Sequence, residues 1–176
     1  MAAPDSWQAD LAAVRVDEEE PSDGYDRERF EHWIDADDDD CSTRCEVLLR
    51  EFRQDLPAAP QGGWHSLYDG VVTGESSELD VDHTVALAEA WRSGAASWTD
   101  ERRRDFANDL APGALRAVSA SVNRSKGSRD PAEWQPPDRS SWCTYAADWL
   151  RTKVRWQLSV DPAEFTNLTT MLDGCP

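Results

Sequence analysis

Two short runs hold the residues from which hydrolytic chemistry is built, Asp80-Val81-Asp82-His83 and Asn123-Arg124-Ser125-Lys126-Gly127. Cutting a phosphodiester takes a base that deprotonates a water beside the phosphorus and a cation that neutralises charge developing on the leaving oxygen. Histidine is the natural base because its pKa lies near neutrality. A hard cation takes oxygens from a carboxylate and an amide carbonyl and keeps several waters. His83 is therefore the candidate base, and Asp82 and Asn123 are the candidate ligands of one Mg²⁺ or Mn²⁺. Asp-His alone is a common dipeptide; its weight comes from the second run, placed at the end of a following strand.

Neighbours on a strand point to opposite faces, so Asp82 and His83 can serve one site only where the strand ends and the chain bends. Alternation over Leu79–His83 predicts a half-buried strand, and a helical period over 85–92, through Leu87 and Trp91, puts the bend at His83. A helix capped by Thr99 should run to about Asn108, followed by a strand at 115–118 and a loop at 123–127. Asp130-Pro131-Ala132-Glu133 reads as a capping box with Pro at the first helical position, and helices over 144–156 and 161–173 close the chain. Before the site, the pattern predicts a short helix at 6–16, a helical segment near 26–33 and a helix at 43–52. Strands at 64–68 and 71–73 flank the hairpin turn Asp69-Gly70.

A chain of 176 residues accommodates one domain with a real core. Nine tryptophans exclude a disordered polypeptide, and Trp91, Trp98, Trp134, Trp149 and Trp156 recur at helical positions as core residues do. With a mean hydropathy of −0.71 there is no apolar run for a membrane span. The expected class is α+β, mainly helical, with a small antiparallel sheet. Residues 1–23 read as an arm or short helix with an acidic linker, and 24–176 as the domain, with C-terminal helices at 144–173.

The net charge of −17 argues against a nucleic-acid partner, because affinity for phosphates comes from Lys and Arg. Its distribution softens the objection. Residues 1–100 hold 7 basic against 25 acidic side chains, and 101–176 hold 11 against 10. Arg102, Arg103, Arg104, Arg116, Arg124, Lys126, Arg129 and Arg139 could grip a backbone if the fold gathers them on one face; otherwise they are solvated surface charge. Arg44 is a further candidate for a phosphate contact or a structural ion pair.

Cys41, Cys45, Cys143 and Cys175 lack the paired spacing of a zinc site and point instead to disulfides in an oxidising compartment. Three connectivities are open. Cys41 with Cys45 and Cys143 with Cys175 is favoured, since i and i+4 face each other across a helical turn. The opening Met1-Ala2-Ala3-Pro4 reads as a start fused to a mature N-terminus, so the lack of a signal peptide leaves the compartment open and the cysteines favour a secreted protein. Within the acidic loop 35–46, Asp35, Asp37, Asp39, Cys41, Thr43 and Glu46 fall at positions 1, 3, 5, 7, 9 and 12 of an EF-hand-like calcium loop. Position 6 is Asp40, where the sharp turn prefers glycine.

At Asp82-His83, Asn108 and Asn123-Arg124-Ser125-Lys126-Gly127 the chain resembles HNH nucleases of the ββα-metal superfamily, and more closely secreted bacterial HNH endonucleases. Gly24-Tyr25-Asp26-Arg27, His32-Trp33-Ile34-Asp35, Thr43-Arg44-Cys45-Glu46, Tyr68-Asp69-Gly70, Leu87-Ala88-Glu89-Ala90-Trp91 and Asp130-Pro131-Ala132-Glu133-Trp134 extend the likeness over roughly 24–175. The resemblance implies a ββα-metal core over about 79–136, with His83 as base, Asp82 and Asn123 on the metal, and Asn108 bonding the loop that orients His83. Arg124 and Lys126 would contact phosphate. The chain departs from the pattern where Ala86 replaces an expected proline, where Asp40 replaces glycine, and where Cys45 stands in for a cysteine expected near Gly62; the last supports the Cys41–Cys45 pairing. The expected substrate is nucleic acid, DNA before RNA and with little sequence preference, with no protein partner. The competing reading is a non-catalytic extracellular calcium-binding or interaction domain with a vestigial core.

Overall fold

The computed structural model describes residues 6–176. Its elements are α1 (Trp7–Ala13), β1 (Arg15–Val16), α2 (Thr43–Glu51), β2 (Trp64–His65), β3 (Val72–Thr73), β4 (Leu79–His83), α3 (Leu87–Arg92), α4 (Asp100–Ala107), β5 (Leu115–Ser119), α5 (Ala120–Lys126), α6 (Trp142–Trp156), β6 (Ser159–Val160) and α7 (Pro162–Leu172). At α4 and α7 side chains close the helix starts where the sequence puts them. Thr99 accepts from the Arg102 amide at the start of α4, and Asp161 opens α7 in a complete capping box with Glu164 and Pro162 at its first position.

The centre of the fold is a β-β-α unit. Strand β4 pairs antiparallel with β5, from Leu79 opposite Ser119 to His83 opposite Leu115, and α5 follows β5 directly. Leu79, Val81, Leu115 and Ala117 share one face and pack on Val47 and Leu48 of α2. The Trp64 indole closes that small core by donating to the Leu48 carbonyl. The larger core lies among α3, α4, α6 and α7, built around Trp91, Phe106, Trp134, Tyr145 and Trp149, with Trp98 and Trp156 packed against it. The fold is α+β and mainly helical, as expected, with two small antiparallel sheets and one short parallel pair among the described residues.

Several elements differ from their sequence reading. The asparagine-bearing run at 123–127 is helix rather than loop, ended by Gly127 at φ +59, a conformation glycine adopts without strain. Asp130 caps a single turn rather than a helix; its Oδ1 accepts from the Ala132 and Glu133 amides, and Trp134 leaves the turn. The segment near 26–33 forms only a 3-10 turn at Arg27–Arg29. The N-terminal stretch is not a free arm: Trp7 and Leu11 pack on the main core, and Arg15 and Val16 pair in parallel with Ser159 and Val160. Disulfides join Cys41 to Cys45 and Cys143 to Cys175, with Cα separations of 5.2 and 5.7 Å.

Candidate active site

At the end of β4 the chain turns on Thr84, whose hydroxyl and amide bond the carbonyls of Gly113 and Ala114. The turn places Asp82 and His83, on opposite faces of the strand, at the rim of one cleft of about 280 Å³. Asn123 and Arg124 of α5 line the same cleft, as do Tyr25 and Arg27 from the N-terminal side.

His83 is buried, and its Nε2 lies 2.8 Å from the Ala107 carbonyl. A carbonyl only accepts, so Nε2 carries the proton and the basic lone pair is on Nδ1. Burial lowers the His83 pKa to about 3; the Ala107 bond opposes the shift, and the charges of Arg27 and Lys126 add to it. The imidazole therefore rests neutral. Trp33 lies nearly parallel to it at 5.1 Å between ring centroids.

Asn108 holds this arrangement from behind. As the residue that ends α4, its Nδ2 donates to the Glu31 and Arg104 carbonyls, and its Oδ1 accepts from the Ile34 amide and the Thr43 hydroxyl. These bonds fix the peptide next to Ala107 and the segment next to Trp33, the two groups that grip His83. They also close the neck of the acidic loop, since the Ile34 carbonyl accepts the Thr43 amide.

Asp82 faces the other way and is also buried. Its Oδ1 accepts from Lys126 Nζ at 2.8 Å and its Oδ2 from the Tyr68 hydroxyl at 2.9 Å. Burial raises the Asp82 pKa, while the Lys126 charge and both hydrogen bonds act against that shift. Asn123 donates Nδ2 to Asp80 at 3.1 Å, which leaves its carbonyl oxygen without a protein donor among the described residues. A carboxylate offers about four lone-pair sites, so each Asp82 oxygen keeps one after these bonds. Asp82 and Asn123 thus present the oxygen donors that a hard divalent cation takes together with water, and the residues fit such an ion.

Not every expected site residue gathers here. Lys126 is fully buried, with its ammonium on Asp82 and on the His83 carbonyl, so it neutralises the site from inside rather than meeting a phosphate. Arg44 donates to the Leu79 carbonyl at the far end of β4 and does not line the cleft. The basic residues of the C-terminal half are scattered. Arg103 is buried against Asp100, Arg116 pairs with Asp148, and Arg102 lies over Trp98 and Trp156. Only Arg124 of that set lines the cleft. Three groups at the site had no assigned role from sequence, Tyr68, Trp33 and Arg27. Each sits in a run that carries the family likeness, but nothing in the spacing says what it touches.

In the acidic loop, carboxylates of Asp35, Asp37 and Asp39 converge within 4.8 Å of one another. Asp35 accepts from the Asp39 and Asp40 amides, and Asp40 takes φ +66, the left-handed turn that the sixth position of such a loop requires.

Residues 23–171 match the model of the C-terminal domain of GmrSD restriction endonucleases. An uncharacterised secreted protein of the fungus Arthroderma benhamiae is 44% identical over 172 residues, which cover 96% of this chain and 84% of the relative. No solved structure matches. No helix among the described residues is long and apolar enough to cross a membrane. A match that spans both the β-β-α unit and the cleft it carries shows that the chain belongs to the family of GmrSD restriction endonuclease C-terminal domains.

Proposed function

We propose that the protein is a secreted, metal-dependent endonuclease of HNH type that hydrolyses phosphodiester bonds of nucleic acid, DNA in preference to RNA. The observation that carries the reading is the convergence, in one cleft, of a neutral imidazole with its proton fixed on Nε2 and the oxygen pair of Asp82 and Asn123. His83 takes the proton of the attacking water on Nδ1 and is held for that task by Ala107 and Trp33. Asn108 keeps both supports in place. Asp82 and Asn123 would hold Mg²⁺ or Mn²⁺, which supplies charge neutralisation at the leaving oxygen. Arg124, exposed at the rim, contacts a backbone phosphate. No recognition module stands apart from the cleft among the described residues, which supports cleavage with little sequence preference. Two disulfides and the name of the fungal relative support secretion.

Plasmid cleavage in Mg²⁺ or Mn²⁺, compared with EDTA, tests this. Metal-dependent nicking is expected; equal cleavage in EDTA, or none with any metal or with RNA, contradicts it.

The convergence of Asp35, Asp37 and Asp39 favours a second, structural cation, Ca²⁺ in the acidic loop with Glu46 as the far ligand. The loop would then brace the neck that Asn108 and Thr43 close behind His83. If Ca²⁺ raises the melting temperature of the wild type but not of Asp35→Asn, the assignment holds; equal shifts in both contradict it.

A further inference from the structure

We propose that Arg27 is a second phosphate-binding residue of the cleft and that it grips the substrate backbone together with Arg124. The proposal rests on the nuclease reading for what the phosphate belongs to, but its binding test stands apart from cleavage.

The two arginines lie far apart in sequence and line the same cleft as His83. Neither has a carboxylate within ion-pair distance among the described residues, whereas other arginines of this acidic chain, such as Arg92, Arg103 and Arg116, are held by carboxylates. Two uncompensated guanidiniums in one cleft call for an anion. The guanidinium is a planar fork that matches phosphate in bidentate fashion and is less strongly hydrated than an ammonium.

Arg27 is aimed rather than neutralised. Asp26 caps the 3-10 turn that carries it, through Oδ1 and the Glu28 amide at 2.9 Å. His32 donates Nδ1–H to the Phe30 carbonyl at 2.7 Å, so its Nε2 presents a lone pair, and Arg27 Nη2 meets that lone pair at 3.4 Å. The Tyr25 ring lines the same cleft and is seated edge-on against Trp91 at 6.0 Å. His32 is not an anion: it occupies one of the five N–H donors, sets the direction of the fork and leaves its charge for a ligand.

Two assays on Arg27→Ala and Arg27→Lys test the proposal, with Arg29→Ala as the control. Arg29 sits on the same turn but faces Trp91 and Asp100. In the first, anisotropy of a labelled oligonucleotide is followed across a salt series in EDTA. Arg27→Ala should weaken binding about tenfold, as for loss of one charge-assisted bond, and lower the log–log salt slope by roughly one unit. Arg27→Lys should recover the slope and part of the affinity, and Arg29→Ala should match the wild type. The second assay measures cleavage in Mg²⁺, where Arg27→Ala should raise KM more than it lowers kcat. Wild-type affinity and slope in Arg27→Ala overturn the proposal, as does equal weakening by Arg29→Ala, which signals damage to the turn. Arg27-dependent binding without metal-dependent cleavage by the wild type would keep the proposal and sink the nuclease reading. No oligonucleotide binding by the wild type would sink both.

Discussion

The chain has only two lysines, Lys126 and Lys153, and the fold buries both completely. Lys153 sits among α3, α6 and α7, with its ammonium 2.6 Å from Glu89 and 3.3 Å from Glu164, and a third bond to the Ser159 carbonyl. Burial pushes the Glu164 carboxyl well above its usual range, and the Lys153 charge opposes that shift. Lys126 has one carboxylate, Asp82, and a backbone carbonyl, and it lies under a cleft. The same ion-pair chemistry therefore has two uses. Where Lys153 is enclosed by two carboxylates, one of them also held by Arg92, charge is balanced within protein and serves the fold. Where one lysine meets a single carboxylate beside open space, the carboxylate keeps lone pairs for a ligand, and the lysine sets how much charge that ligand meets.

Separating the two uses gives the largest expected effects. Breaking a buried pair by removing one partner costs about 3–5 kcal/mol, because the remaining charge stays desolvated. Lys153→Met should lose that much in urea denaturation, Mg²⁺ should not restore it, and the molecules that remain folded should cleave as the wild type does. Lys126→Met should lose a similar amount, but here Mg²⁺ should restore stability, because the cation takes over the compensation of Asp82. If Mg²⁺ affected both variants equally, the contrast between the two lysines would be void.

An effect that is smaller at each pH unit follows from His83. Its pKa in the folded state, about 3, lies below the ordinary value of 6.5, so between those pH values the unfolded chain binds a proton that the folded one does not. Stability is therefore lost as pH falls below 6.5, on the order of 1.4 kcal/mol per unit until about pH 3. Replacing the imidazole by the glutamine amide should flatten that part of the curve. An unchanged slope in His83→Gln would mean that the ring is solvated and not held neutral by burial. Smallest of all, Tyr68→Phe should cost about 0.5–1.5 kcal/mol of stability for one lost hydrogen bond, and it should weaken Mg²⁺ binding in calorimetry by freeing the Asp82 carboxylate to turn. Unaltered metal affinity would show that Lys126 alone positions Asp82.

The parts of this picture that could be read in the sequence are those set by local rules. Alternation marks Leu79–His83, a hydroxyl three residues ahead of an amide marks the start of α4, and Asp161-Pro162 with Glu164 marks α7. Helix α5 was hidden because its inward side is Val122 and Lys126. A lysine reads as solvent-facing until its partner is known, and Asp82 lies 44 residues away in sequence. Asp130 reads as a helix cap by type and spacing, yet no helix follows it. The N-terminal stretch reads as an arm or a short helix, and the helix is there as α1, but its two anchors, Trp7 on the core and Arg15-Val16 on β6, depend on partners far along the chain. At the site, the candidates for base and metal ligands follow from residue type and order, whereas Tyr68, Trp33 and Arg27 are singled out only by contacts made in three dimensions.

The central claim is that His83 carries the chemistry while Asp82 and Asn123 carry the metal. One paired measurement tests it: single-turnover cleavage of a labelled DNA duplex in Mg²⁺, with Mg²⁺ affinity by calorimetry on the same samples, for the wild type, His83→Ala and Asn123→Ala. The account predicts that His83→Ala abolishes cleavage at unchanged metal affinity, and that Asn123→Ala binds metal more weakly and regains part of its activity at high Mg²⁺. Wild-type turnover in His83→Ala, or unchanged metal affinity in Asn123→Ala, would contradict it.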